Sequence, residues 1–308
     1  MLRDALLLAA GSPRIERAVT TLPVTRHVVE RYVPGDTIED AIRATKELAA
    51  DGLKSTLDFL GEDVETAEQA AATVDAYLRL LERLGSAGLT QHAEVSVKLS
   101  AVGLALPGGE RIALEHARTI CNGARAGSTT VTLDMEDHTT TDSTLAVLAE
   151  LRQDFPDTGA VLQSYLHRTE DDCRSLTGVG SRVRLCKGAY DEPAEVAYQS
   201  KRDVDLSYVR CLKVLLAGEG YPMVASHDPR IVEIAGALAA RHGRKANSFE
   251  YQMLYGIRPN EQRRLAREGA TVRVYLPFGT QWYGYLMRRL AERPANVVFF
   301  LRSLVSKS

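Results

Sequence analysis

The strongest constraint in this chain is a repeat of order rather than of residues. From residue 52 onward, short strand-like runs alternate with amphipathic helix-like runs, eight times over. Strands are predicted at 52–60, 94–99, 129–134, 159–163, 182–187, 222–226, 248–253 and 271–276. Helices are predicted at 66–84, 110–123, 141–155, 169–176, 229–242, 260–269 and 281–292, with one helix or two in 193–217. Strict βα alternation points to a parallel sheet, and eight units point to a closed (β/α)8 TIM-like barrel. A doubly wound open sheet is the alternative. It wants a Gly-x-Gly-x-x-Gly phosphate turn after an early strand, and that motif is absent. Residues 1–52 read as an N-terminal helical arm, with helices at 15–19 and 37–50 around a Pro34-Gly35 turn, and 53–308 as the barrel domain.

Composition narrows the partners. Lys and Arg number 38 and Asp and Glu 40, a net charge of −2, so nothing calls for nucleic acid. No apolar run is long enough to span a membrane. Met1 to Ala10 lacks the basic start of a signal peptide. Cys121, Cys173, Cys186 and Cys211 form no Cys-x-x-Cys pair and read as reduced thiols of a cytoplasmic protein. The seven histidines have no ligand spacing, so no metal is expected.

Side-chain parity sorts each strand into two faces. The helix-facing set is apolar: Val95, Val97, Val131, Leu133, Val183, Leu185, Val272, Val274 and Leu276. The lumen set is then Glu94, Ser96, Lys98, Thr132, Asp134, Arg184, Cys186, Glu250, Gln252, Arg273 and Tyr275. A barrel interior is usually packed with branched aliphatics, so this much charge must pair internally or meet a ligand. Glu94, Glu250 and Arg273 suit an internal network. Lys98, Asp134, Gln163, Lys187, His227 and Tyr275 fall at or near C-terminal strand ends, the rim where active sites of this fold lie.

The helix at 281–292 adds a second polar feature. Tyr283, Leu286, Met287 and Leu290 form an apolar stripe, and Tyr285, Arg288, Arg289 and Glu292 the opposite face. Paired guanidiniums suit either a solvated surface or a carboxylate clamp. Lys98 at a strand end also suits a Schiff-base lysine, with Asp134 and Glu136 moving protons. A flavin- or amino-acid-binding module without catalysis is a third reading.

Ordered motifs carry a family resemblance from about Lys54 to Asn296. They are Ser96-Val97-Lys98-Leu99-Ser100, Leu133-Asp134-Met135-Glu136, Arg182-Val183-Arg184-Leu185-Cys186-Lys187-Gly188-Ala189-Tyr190, Ala225-Ser226-His227-Asp228, Phe249-Glu250-Tyr251-Gln252-Met253-Leu254-Tyr255-Gly256, and Tyr275-Leu276-Pro277-Phe278-Gly279 running on to Tyr285-Leu286-Met287-Arg288-Arg289. The chain resembles the flavin-dependent proline dehydrogenases in their single-domain form, and its length leaves no room for a fused aldehyde dehydrogenase segment. The resemblance implies a modified (β/α)8 barrel with the last helix over its mouth. It implies oxidation of L-proline to Δ1-pyrroline-5-carboxylate by hydride transfer to FAD, with a quinone as electron acceptor. One departure is Met253, where other members carry a basic residue.

Residue roles follow from the same resemblance. Arg288 and Arg289 hold the substrate carboxylate, and Lys98 completes the cationic site. Tyr190, Leu254, Tyr285 and Ala189 wall the pyrrolidine ring, with Tyr275 in support. Asp134 and Arg184 are the catalytic expectations, Asp134 positioning the cationic group and Arg184 approaching the flavin N5. Met135, Gln163, Lys187, Gly188, Ala189, Ser226 and His227 hold FAD, with Lys201 as a further candidate. A cytoplasmic location follows, and peripheral contact with the inner face of the cell membrane is compatible with it, although no basic amphipathic anchor is visible.

Overall fold

The structure is a computed structural model that describes residues 29–62 and 64–292, with side chains as far as residue 287. The helix expected at 15–19 therefore lies outside the described residues. Helix α1 (Ile38–Ala50) starts at Thr37, whose hydroxyl accepts the Asp40 amide while Asp40 accepts the Thr37 amide, a capping box. Eight βα pairs follow: β1 (Lys54–Phe59) and α2 (Ala67–Ser86), β2 (Ala93–Val97) and α3 (Gly109–Ala126), β3 (Val131–Leu133) and α4 (Thr141–Asp154), β4 (Ala160–Gln163) and α5 (Thr169–Ser175), β5 (Arg182–Cys186) and α6 (Lys201–Ala217), β6 (Tyr221–Ala225) and α7 (Pro229–Arg241), β7 (Glu250–Leu254) and α8 (Pro259–Arg267), β8 (Val272–Phe278) and α9 (Trp282–Glu292).

The strands form one sheet in the order β3-β2-β1-β8-β7-β6-β5-β4. All seven laddered pairs are parallel. The barrel closes between β3 and β4 through Gly159, whose amide donates to Val131 O at 2.8 Å and whose carbonyl accepts from Leu133 N at 2.9 Å. A Cβ on Gly159 would stand 2.5 Å from Thr132 Oγ1, so this seam needs glycine. The (β/α)8 barrel expected from the alternation is therefore the observed fold.

Burial follows the parity argument. The nine apolar residues assigned to the helix-facing set are each 2% exposed or less and belong to the main core. A second cluster forms where α9 meets the chain before α1. Tyr283, Tyr285, Leu286 and Met287 pack there with Val29, Tyr32, Val33 and Leu60.

Of the one helix or two read in 193–217, the structure has one, shorter than the stretch. Only 201–217 of the predicted 193–217 region forms a single helix, capped by the Ser200 hydroxyl accepting the Asp203 amide. The preceding residues bridge Leu166 to Ala197 instead, with His167 N bonded to Val196 O and Tyr198 N to Tyr165 O. Those interstrand-type bonds satisfy backbone groups that a longer helix would have used.

Candidate active site

The lumen side chains form two layers. In the lower one, Glu94 accepts Thr56 at 2.9 Å and Thr132 at 3.2 Å on one oxygen, and Arg182 at 2.5 Å and Thr130 at 3.1 Å on the other. Glu250 accepts Arg273 Nε at 2.7 Å and Gln252 Nε2 at 2.6 Å on one oxygen, and Arg273 Nη2 and the Tyr221 hydroxyl, each at 3.2 Å, on the other. Burial pushes Glu94 up, but Arg182, Arg273 and Arg184 together hold it well below the usual glutamate range.

The upper layer sits at the C-terminal strand ends. Arg184 donates Nε to Gln252 Oε1 at 2.6 Å and Nη1 to Asp134 at 2.6 Å and Ser96 at 3.0 Å. Its guanidinium lies 5.2 Å from the centroid of the Tyr275 ring. The Tyr275 hydroxyl donates to the second Asp134 oxygen at 2.7 Å. Lys98 bonds Asp58 at 2.7 Å and Tyr275 at 3.4 Å, with Asp134 at 3.7 Å and Glu62 at 3.9 Å. Burial pulls Lys98 down, yet Asp58, Asp134 and Glu62 raise it well above the usual lysine range, so it is charged. Asp134 goes the other way: against its burial, Arg184 and Lys98 lower it and keep it ionised. Burial and the Asp134 charge raise Asp58, which Lys98 only partly opposes. Asp58 Oδ1 and Arg184 Nη2 are buried without a hydrogen bond among the described residues.

Above this layer opens a cavity of about 620 Å³. Lys98, Asp134, Met135, Gln163, Arg184, Lys187, Gly188, Ala189, Tyr190, Ser226, His227, Leu254, Tyr275 and Tyr285 all line it, as does Lys201. Arg288 and Arg289 fall on α9, but their side chains lie outside the described residues. The departure at Met253 also reaches the cavity wall, from a position 2% exposed. One end of the cavity is cationic. Lys187 bonds Asp205 at 2.5 Å and approaches Asp228 to 3.4 Å, while Lys201 and Arg230 flank the same two aspartates. Asp228 caps α7, so the positive end of that helix also meets the cavity. His227 accepts the Leu254 amide on Nε2 at 2.9 Å, so a neutral ring carries its proton on Nδ1. Gln163 spends its amide nitrogen on the Glu136 carbonyl at 2.7 Å.

Sequence reasoning missed Asp58, Thr56 and Arg182 in the lumen and Arg230 at the rim. Parity applied to β1 would have found the first two. Its outward positions, Ser55 and Leu57, include a polar residue, so no clean alternation marks them.

A (β/α)8 barrel with ionised, mutually oriented side chains at the C-terminal end of its strands defines a small-molecule enzyme of the barrel class. The profile of the proline dehydrogenase family matches residues 41–302. Proline dehydrogenase 1 of Bacillus subtilis is 40% identical over 283 residues, covering 92% of each chain. Proline dehydrogenase of Deinococcus radiodurans is 40% identical over 306 residues, covering 98% of this chain and 97% of that one. Among solved structures, proline utilization A from Bdellovibrio bacteriovorus, inactivated by N-propargylglycine, superposes with a TM-score of 0.78 at 25% identity. That match covers 86% of this chain and 32% of the other. The chain belongs to the proline dehydrogenase family.

Proposed function

We propose that the chain oxidises L-proline to Δ1-pyrroline-5-carboxylate with FAD in the cavity and a quinone as the final acceptor, the first step of proline degradation to glutamate. The observation that carries this reading is one cavity with two unlike ends. One end offers Lys98 and Arg184 beside Tyr275, with Tyr285 also in the wall. The other offers Lys187, Lys201, Arg230 and a helix N-terminus.

The donor set fits FAD. Cations and a helix N-terminus suit its phosphates, and apolar lining residues such as Met135, Val161 and Leu254 suit a flat ring. In this proposal Met135, Gln163, Arg184, Lys187, Gly188, Ala189, Ser226 and His227 hold the cofactor. FAD, when bound, supplies the hydride acceptor.

The chain's own residues orient and charge the substrate. Lys98 and, from α9, Arg288 and Arg289 bind the proline carboxylate. Positive charge there favours the amino-acid form with a free amine lone pair over the zwitterion, and only that form is a good hydride donor. Tyr190, Leu254, Tyr275 and Tyr285 wall the ring and fix its reacting carbon. Asp134 holds Tyr275 and Arg184 in place, and Arg184 would offer positive charge to the bound cofactor. The quinone, the cytoplasmic location, contact with the inner membrane face and the division of the chain near residue 52 rest on family resemblance and sequence. Among the described residues, no helix is long and apolar enough to cross a membrane.

The Schiff-base alternative fares worse, because Asp58, Asp134 and Glu62 keep Lys98 charged and a nucleophilic lysine must be neutral. The test is anaerobic addition of L-proline to the purified protein. Loss of the flavin absorbance is expected, whereas a yellow protein that stays yellow sinks the proposal. Arg288→Ala and Arg289→Ala should raise the KM for proline while leaving the protein yellow. A normal KM removes the clamp.

A further inference from the structure

One buried carboxylate outside these constellations joins three neighbouring loops. Glu192 lies in the loop after β5 that carries Tyr190, and it is 8% exposed. One of its oxygens accepts the Tyr165 hydroxyl at 3.0 Å and the His138 amide at 2.9 Å. The other pairs with His138 Nδ1. Tyr165 follows β4 and His138 follows β3, so a single carboxylate bonds the loops of three consecutive strands.

Tyr165 transmits that anchorage to the cavity wall. Its amide donates to Lys187 O at 2.9 Å. Gly188, at φ +111°, lies flat over the Tyr165 ring, where a Cβ would come within 2.4 Å. Tyr190 packs on the same cluster beside Leu166 and Ala197. A buried carboxylate costs stability unless it is fully bonded, and once bonded it allows only one arrangement of its donors.

We infer that Glu192 is a positioning residue which, through Tyr165 and His138, staples the loops after β3, β4 and β5 so that Met135, Gln163, Lys187 and Tyr190 line one cavity. The identity of the ligand rests on the proposed function, while the staple itself rests on the bonds above.

The test compares Glu192→Ala, Glu192→Gln and Tyr165→Phe with the parent chain. Amide hydrogen exchange is read over residues 134–140 and 186–192 of the purified protein, and FAD affinity and the separate KM and kcat for proline are measured beside it. Glu192→Ala should speed exchange in both loops together and weaken FAD binding about tenfold, as loss of buried hydrogen bonds predicts. It should raise KM more than it lowers kcat. Glu192→Gln keeps an oxygen for Tyr165 and the His138 amide, and should stay within about threefold of the parent. If Glu192→Ala does not fold, Tyr165→Phe decides, because it removes one bond and keeps the ring under Gly188. Unchanged exchange overturns the inference, and so does faster exchange with FAD affinity and KM unaltered. A parent chain that binds no FAD sinks the proposed function instead, and the coupled exchange of the two loops then decides the staple by itself.

Discussion

The two layers of the barrel lumen are built from the same residue types and do different things. In the lower layer, both oxygens of Glu94 and both of Glu250 take two hydrogen bonds each. No side-chain atom of Glu94, Arg182, Glu250 or Arg273 is buried without a bond. In the upper layer, Asp58 Oδ1 and Arg184 Nη2 have none, and the layer opens on the cavity. Equal burial of charge thus supports a closed scaffold below and a cavity-lining set above. Gln252 joins them: its amide nitrogen is held by Glu250, which turns its oxygen to Arg184.

The largest expected effect breaks the lower layer. Glu94→Ala leaves Arg182 and Arg273 facing an empty place, and a loss of about 3–5 kcal/mol is expected in urea unfolding. A loss below about 1 kcal/mol would erase the contrast between the layers. The same carboxylates set an acid limit. Glu94 and Glu250 are held below their ordinary range by the arginines around them, so their contribution is present above the unfolded glutamate range. It is lost as pH falls below that range towards the folded values. Glu94→Gln should flatten this acid dependence when unfolding is followed from pH 7 down to about pH 3.

Next comes the upper layer. Lys98→Ala should lower kcat/KM for proline about 100-fold, the scale of one charge-assisted hydrogen bond, at a smaller stability cost than Glu94→Ala. Equal stability losses in the two variants would show that the upper layer is scaffold as well. Gln252→Leu, which removes the amide between Glu250 and Arg184 Nε and leaves Lys98 and its partners in place, should cost about tenfold in kcat and leave KM nearly unchanged. An unaltered kcat would detach the lower layer from function.

The smallest effect is a change of sign. Asp58 is raised in the fold by burial, so its ionisation costs stability as pH rises from the ordinary aspartate range towards the folded value. Asp58→Asn removes that cost. Its stability relative to the parent should therefore improve from pH 4 to pH 7. A relative stability that worsens over the same range would place Asp58 among the fully compensated charges of the lower layer.

Much of this was legible before any coordinate. Strand parity found Glu94, Lys98, Asp134, Arg184, Gln252 and Tyr275 because β2, β3, β5, β7 and β8 alternate with an apolar outer face. A period of two is a purely local property. In β1 the polar Ser55 interrupts the outer face, and Asp58, the partner of Lys98, went unseen. Glu192, Tyr165 and His138 come from three loops with no period at all.

The sequence by itself determined the order of elements, the face on which each lumen residue lies and the family motifs, because these depend on neighbours a few residues apart. Only the tertiary structure decided which acid meets which base. Lys98 reaches Asp58 because β1 pairs β2 in the register that sets Asp58 beside Ser96, and Asp134 joins them because β2 pairs β3 with Ser96 beside Thr132. Register and barrel closure are set by the packing of the whole core, and the net charge and exposed atoms of the site follow from them.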